Sequence, residues 1–266
     1  LSREWLDSAL VGAAIRAGAV FHDGEARKVA ECQAIARVVV VASGLLGNEA
    51  PAEADSRIGA GVVVPAEGVP AFFRRGMVYM ATAAGGYVGL VRLEDDRLDV
   101  AAAFDAVFVR QCGGLGPAAE AILAETRWPA IAPLAMLPWK GTPALTRRAA
   151  TRAGQRWFAV GDAAGYVEPF TGEGMAWAIR SAVALAPLAV RAAEHWSDSL
   201  AREWERTHRR LIESRQWVCR IVARLLRSPR LTAWAVRALA VCPALSWPVV
   251  ASLNRVPALQ LRGARV

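Results

Sequence analysis

Histidine is scarce in this chain of 266 residues: only His22, His195 and His208 occur. A histidine-centred triad has little raw material, and each of the three reads as a surface or capping residue. The four cysteines, Cys32, Cys112, Cys219 and Cys242, lie far apart, form no CxxC pair and have no histidine at ligand spacing. That pattern speaks against a zinc site or a disulfide framework; no metal is expected, and a reducing, cytoplasmic setting is the default. No apolar stretch preceded by basic residues marks a signal peptide. No glycine-rich strand-to-helix fingerprint stands near the start. Residues 231–251 are almost wholly apolar, yet Arg237 interrupts them and Pro243 and Pro248 break the helix, so they fall short of the ~20 uninterrupted apolar residues of a spanning helix. They read as two short helices that pack on the body or dip into one bilayer face.

What is present is a strongly apolar, basic chain: 55% hydrophobic residues, mean hydropathy +0.26 and net charge +8. The composition excludes disorder and suits a well-buried α/β protein with two modest domains. The most informative stretch is 156–181, RWFAVGDAAGYVEPFTGEGMAWAIRS. Trp157 to Val160 suit a short buried strand, which Gly161-Asp162 ends with one small residue and one carboxylate. After Pro169, the sequence Thr171-Gly172-Glu173-Gly174 opens an Ala-rich helix, predicted to run to about Ala193. Backbone N–H groups at such a start are free, and glycines let a ligand approach them. A carboxylate facing a phosphate would repel it. Asp162 is therefore suited to accept hydrogen bonds from sugar-like hydroxyls, with the helix start serving the anionic or carbonyl part of a dinucleotide.

The stretch GDAAGYVEPFTGEGMAWAIRSA resembles the second flavin-binding motif of the p-hydroxybenzoate hydroxylase and geranylgeranyl reductase group of FAD enzymes. The resemblance implies that Asp162, with Gly161, binds the ribityl chain of FAD. It also implies that Pro169, Gly172, Gly174 and the backbone of Met175 and Ala176 lie over the pyrophosphate and the pyrimidine edge of the flavin. The opening LSREWLDSAL looks like the group's Arg-x-x-Leu-Asp-x-x-Leu helix, which makes Arg3 a further cofactor candidate. Where the hydroxylases end a strand in Asp-Gly, this chain has Ser43-Gly44. That departure weakens any role in NAD(P)H handling carried by the Asp. The group's GxGxxG unit is also missing, and with a start at Leu1 rather than Met the chain reads as an N-terminal truncation.

The implied fold class is α/β: an incomplete Rossmann-like FAD-binding domain, an inserted β-sheet substrate domain and a C-terminal helical region. Residues 1–49 form the first part of the FAD-binding domain. They hold a helix capped by Ser2, with Trp5, Leu6, Ala9, Leu10, Ala13 and Ala17 at helical spacing, and a buried strand around Val38 to Val41. Residues 50–152 form the sheet domain. Strands are predicted at Ile58 to Pro65, Gly76 to Ala83, Gly86 to Leu93 and Leu98 to Phe104, with a hairpin at Glu94-Asp95-Asp96-Arg97. Cys112 to Pro117 reads as a turn into a helix from Ala118 to Thr126, and Ile131 to Trp139 as a returning strand. Residues 153–196 hold the flavin motif and 197–266 the helical region. From Arg202 to Arg230 nine arginines stand against three glutamates. Leu211, Val218, Ile221, Val222 and Leu225 share one face there, which describes an amphipathic basic helix.

The resemblance implies an FAD-dependent oxidoreductase. A monooxygenase fed by NAD(P)H, acting on a lipophilic aromatic or isoprenoid-like substrate, leads; a double-bond reductase or a non-catalytic flavoprotein-derived binding protein is the alternative. Apolar alternation from Tyr87 to Phe104 predicts an apolar pocket. No catalytic acid, base or nucleophile can be named, because the flavin carries the chemistry. Nucleic acid is not expected as a partner, since no recognition motif accompanies the charge. The basic helix makes peripheral contact with the inner face of a membrane the remaining partner expectation.

Overall fold

The computed structural model describes residues 2–24, 28–47, 51–168, 170 and 172–254. In chain order the elements are α1 (Arg3–Arg16), α2 (Val29–Ile35), β1 (Val39–Val41), β2 (Ile58–Val64), β3 (Val78–Ala83), β4 (Gly86–Arg92), β5 (Leu98–Phe104), α3 (Ala106–Cys112), α4 (Leu115–Ala124), β6 (Lys140–Ala144), β7 (Ala153–Gly154), β8 (Trp157–Ala159), α5 (Gly174–Glu194), α6 (Asp198–His208), α7 (Ser214–Leu225), α8 (Pro229–Val241) and α9 (Trp247–Asn254). Contacts divide the chain into a sheet unit, Leu1–Arg27 with Asp55–Ala144, and a helical unit, Lys28–Ala54 with Leu145–Val266.

The sheet unit is a five-stranded antiparallel sheet in the order β3-β4-β5-β2-β6. Strands β2 to β5 fall within two residues of the bounds that alternation predicts, because one face is apolar and the period of two fixes which residues it contains. That face, with Val62, Leu90, Leu98, Val100 and Phe104, is buried against Ala118, Ala119 and Ile122 of α4 and against Leu134. The apolar row is thus the unit's own core. On the opposite face Gly61, Ala101 and Gly89 stand in register across β2, β5 and β4. The Glu94–Arg97 turn closes the hairpin, with Leu93 N–H donating to Arg97 O at 2.8 Å. The expected strand over 131–139 is absent: the segment is irregular with a short 3-10 turn at Leu134–Met136, and the strand lies at β6 instead. Pro133 and Pro138 remove two ladder donors, whereas Pro143 is tolerated because β6 is an edge strand. α4 begins three residues earlier than expected, and α3 was not anticipated.

Ser2 caps α1 as predicted, its hydroxyl accepting from Trp5 N–H at 3.2 Å and donating to Glu94 at 2.7 Å. No residue of α1 is buried, so its periodic apolar positions do not cover a core.

In the helical unit β1 runs parallel to β8, and β7 pairs antiparallel with β8, giving the order β1-β8-β7. The stretch read as a buried strand is shorter and barer than expected: Val40 is exposed, and Ile35 belongs to α2. α5 ends one residue beyond Ala193. By length and composition it is apolar enough to cross a membrane, but Trp177, Ser181, Leu185, Leu188 and Ala192 are buried inside the unit, packed in part on Phe158 and Val160.

α6 and α7 form one helical rod joined by a π turn at Arg209–Glu213. Its buried face is Leu200, Trp204, His208, Ile212, Gln216, Cys219, Ala223 and Leu226. The predicted face is therefore corrected, since Ile221 is exposed and Leu211, Val218, Val222 and Leu225 are only half-buried. A π turn carries one extra residue and shifts the phase of everything after it. Uniform 3.6-residue spacing misses that shift.

Candidate functional site

The site grows from the end of β8. Gly161 has φ 58, a left-handed conformation that suits glycine, and an added Cβ would stand 3.3 Å from Ala178 Cβ. The chain there makes a 3-10 turn over Gly161–Ala164, which puts Asp162 half-buried at its outer side. Three contacts fix the turn. Ser181 of α5 accepts from Gly161 N–H at 3.0 Å while its hydroxyl donates to Ala178 O at 2.8 Å. Trp204 Nε1–H donates to Ala159 O at 3.1 Å. Arg152 Nε–H donates to Ala164 O at 2.9 Å. Gly165 follows with φ 125, a conformation that again selects glycine, and Tyr166 exchanges two 2.9 Å backbone bonds with Arg147.

Arg152 is the hub of this region. Its backbone N–H and Nη1 donate to the Glu205 carboxylate at 2.6 and 3.1 Å, and its Nη2 pairs with Glu213. The guanidinium is 13% exposed. Two of the three glutamates of the basic segment are therefore engaged in holding the 161–164 turn.

At the other end of the loop, α5 starts at Gly174 behind Glu173. Trp177 N–H is the first to meet a carbonyl of the helix, Glu173 O at 3.0 Å, so the N–H groups of Gly174, Met175 and Ala176 lie outside its ladder. Met175 and Ala176 are exposed, and a Cβ on Gly172 or Gly174 would meet nothing. The helix start is open. Burial pushes the Glu173 carboxyl up, against the pull of Arg180 and Arg215 and a 3.9 Å contact from the Cys219 thiol.

Behind the turn a small cavity is lined by Asp162, Trp177, Ser181, His208 and Gln216. Trp177 Nε1 and His208 Nδ1 are buried there without a hydrogen-bond partner. Burial, with the nearby charge of Arg152 adding, pushes the imidazole of His208 down to about 3.

Six of the eight predicted positions, Gly161, Asp162, Gly172, Gly174, Met175 and Ala176, belong to this loop. Pro169 lies outside the described residues. Arg3 sits in the sheet unit on the exposed first turn of α1, paired with Asp7 at 3.0 Å. Ser43 follows β1, and the Gly44–Gly47 turn packs against the 161–164 turn. Ser181, Arg152, Trp204 and His208 were not anticipated. Only Ser181 left a signal, as a lone hydroxyl in the Ala-rich run. Among the described residues no cluster of His, Cys, Asp and Glu could hold a metal.

No protein-family model matches the sequence, and no curated protein matches it. Solved structures do. The flavin-dependent brominase Bmp2 superposes with a TM-score of 0.57 at 14% identity, over 82% of this chain and 57% of that one. BrvH, a flavin-dependent halogenase from Brevundimonas sp. BAL3, gives 0.54 at 14%, over 72% and 38%. PqsL of Pseudomonas aeruginosa, described as a probable FAD-dependent monooxygenase, gives 0.53 at 18%, over 76% and 59%. The chain thus spans less than two thirds of the length of each. It has the mixed α/β fold of these flavin-dependent halogenases and monooxygenases.

Proposed function

We propose that the 161–176 loop holds the flavin of an FAD-dependent oxidoreductase. The single observation that carries this reading is the pairing, in one loop, of a carboxylate fixed at a parallel-strand end with a helix start whose N–H groups are open. Asp162 sits on a turn held by Ser181, Trp204 and Arg152. The glycines at 172 and 174 leave the space before the helix clear. These residues fit FAD: Asp162 suits ribityl hydroxyls, while Gly174, Met175 and Ala176 N–H suit a phosphate or the pyrimidine edge of the ring. The bound cofactor supplies two-electron redox chemistry. The protein's part is to orient it, to place N–H dipoles where negative charge develops and to exclude water. The solved structures of the same fold carry flavin chemistry in their names, which supports the reading.

Within that class we infer an NAD(P)H-fed monooxygenase of a lipophilic aromatic or isoprenoid-like substrate. Donors at the helix start favour a step that builds negative charge on the ring. The sheet face floored by Gly61, Gly89 and Ala101 leaves room for a flat apolar molecule. The case for a double-bond reductase leaned partly on Gly165. Its φ of 125 gives that glycine a backbone reason of its own, so it no longer separates the two.

Titration of the chain with FAD, followed by flavin fluorescence, tests the cofactor site. Asp162→Ala removes a charge-assisted hydrogen bond worth about 1.5–3 kcal/mol, roughly ten- to hundredfold in Kd. A variant that binds FAD as tightly as the wild type overturns the assignment.

A further inference from the structure

The last two described helices bury almost nothing. α8 has one buried residue, Thr232, whose hydroxyl donates to Leu225 O at 3.2 Å and Ser228 O at 3.0 Å. Its other side chains stand clear: Trp234 is 74% and Val241 87% exposed, and beyond the break Leu245 and Trp247 are 57% and 73% exposed. Singly exposed apolar residues are ordinary, but a contiguous set with two tryptophans marks an interaction surface.

Geometry and charge select the partner. α8 has 13 residues and α9 has 8, about 20 and 12 Å at 1.5 Å per residue, against an apolar bilayer core of about 30 Å. The pair is bent by 119°, so it does not make one span. Such helices lie in an interface. From residue 214 to the end, the sequence has nine arginines and neither an acid nor a lysine. Arg224, Arg230 and Arg237 are exposed on α7 and α8 beside the apolar residues. Tryptophan is favoured at the headgroup level, and arginine buries its stem while its head reaches phosphate. A protein partner would need matching acids and a shaped apolar groove; an anionic bilayer offers both terms at once.

We propose that α8, α9 and the arginines of α7 form a docking surface for an anionic lipid bilayer, which the protein enters on one side only. This inference is independent of the flavin site. With the apolar face inserted, Arg224, Arg230 and Arg237 meet lipid phosphates, and binding is the sum of apolar burial and charge.

Flotation of the chain with vesicles of phosphatidylcholine, alone or mixed with phosphatidylserine, provides the test. The expected result is recovery with the mixed vesicles, weakened by salt. Arg230→Gln and Arg237→Gln should each weaken it by roughly fivefold. Trp234→Ser with Trp247→Ser, with circular dichroism unchanged, should abolish flotation while leaving binding to soluble heparin intact. Heparin binding separates the insertion of apolar side chains from simple attraction to a polyanion. Equal recovery on both vesicle types at all salt concentrations, tryptophan variants that float as well as the wild type, or concentration-dependent dimerisation without any lipid binding would each overturn the proposal.

Discussion

His208 offers the sharpest test of the packing behind the loop. The ring is 2% exposed, lies 5.7 Å edge-on from Trp204 and leaves Nδ1 without a partner. Its pKa falls from 6.5 to about 3 on folding, chiefly through desolvation. Because the folded value is the lower one, the unfolded chain takes up the proton first as pH drops. The stability contributed by neutral His208 is therefore complete above about pH 6.5, declines below it and has gone by about pH 3. At 1.36 kcal/mol per pH unit, the loss from this group between pH 7 and pH 5 is about 2 kcal/mol. His208→Phe keeps a ring against Trp204, removes the orphaned nitrogen and removes the titration. Urea unfolding at the two pH values gives the comparison, with the carboxylates common to both proteins. The other two histidines are exposed and serve as internal controls. The wild type should lose about 2 kcal/mol more than the variant on acidification. Equal losses would show that His208 is not buried as a neutral ring, and the account of the cavity would fail with it.

Two further outcomes follow from the site. Arg152→Met leaves Glu205 and Glu213 half-buried without their cation and frees Ala164 O. Breaking such a pair from one side costs about 3–5 kcal/mol when fully buried, so partial exposure places the expected loss toward or below the lower figure, read by thermal unfolding, with weaker FAD binding alongside. For the reaction type, oxygen uptake with NADPH and a panel of aromatic and isoprenoid substrates should depend on substrate; anaerobic conversion to a saturated product would favour the reductase.

The sequence carried those elements whose cause is local. Alternation and the Glu94–Arg97 turn located β2 to β5, and Ser2 located the start of α1, because strand period and capping act within a few residues. Thr171 to Gly174 likewise announced the start of α5. The strand expected at 131–139 failed because apolar content outweighed two prolines, and the lost donors decided the matter. The open face of α1 was illegible, since helical spacing shows where apolar residues point but not whether anything covers them. In the site, the backbone features were readable from Gly-Asp and Gly-Glu-Gly. Their supports were not: Arg152 reaches Glu205 across 53 residues, and Trp204 reaches Ala159 across 45.

The π turn at Arg209–Glu213 has a bearing on how this region tolerates change in length. Upstream of it, Leu200 and Trp204 belong to the core around Phe158; downstream, Ile212 and Cys219 pack with Val167 and Trp177. One rod thus supplies two cores that a regular helix, with its fixed rotation per residue, would not meet in the same order. Removing a single residue from the turn would restore ordinary helical bonding locally. It would also rotate α7 by about 100°, one residue's share of a 3.6-residue turn, and carry Cys219 and Gln216 away from the loop they now back. Indels here are therefore not equivalent to indels in a surface connection, and the spacing between Trp204 and Cys219 counts as much as the identity of either residue.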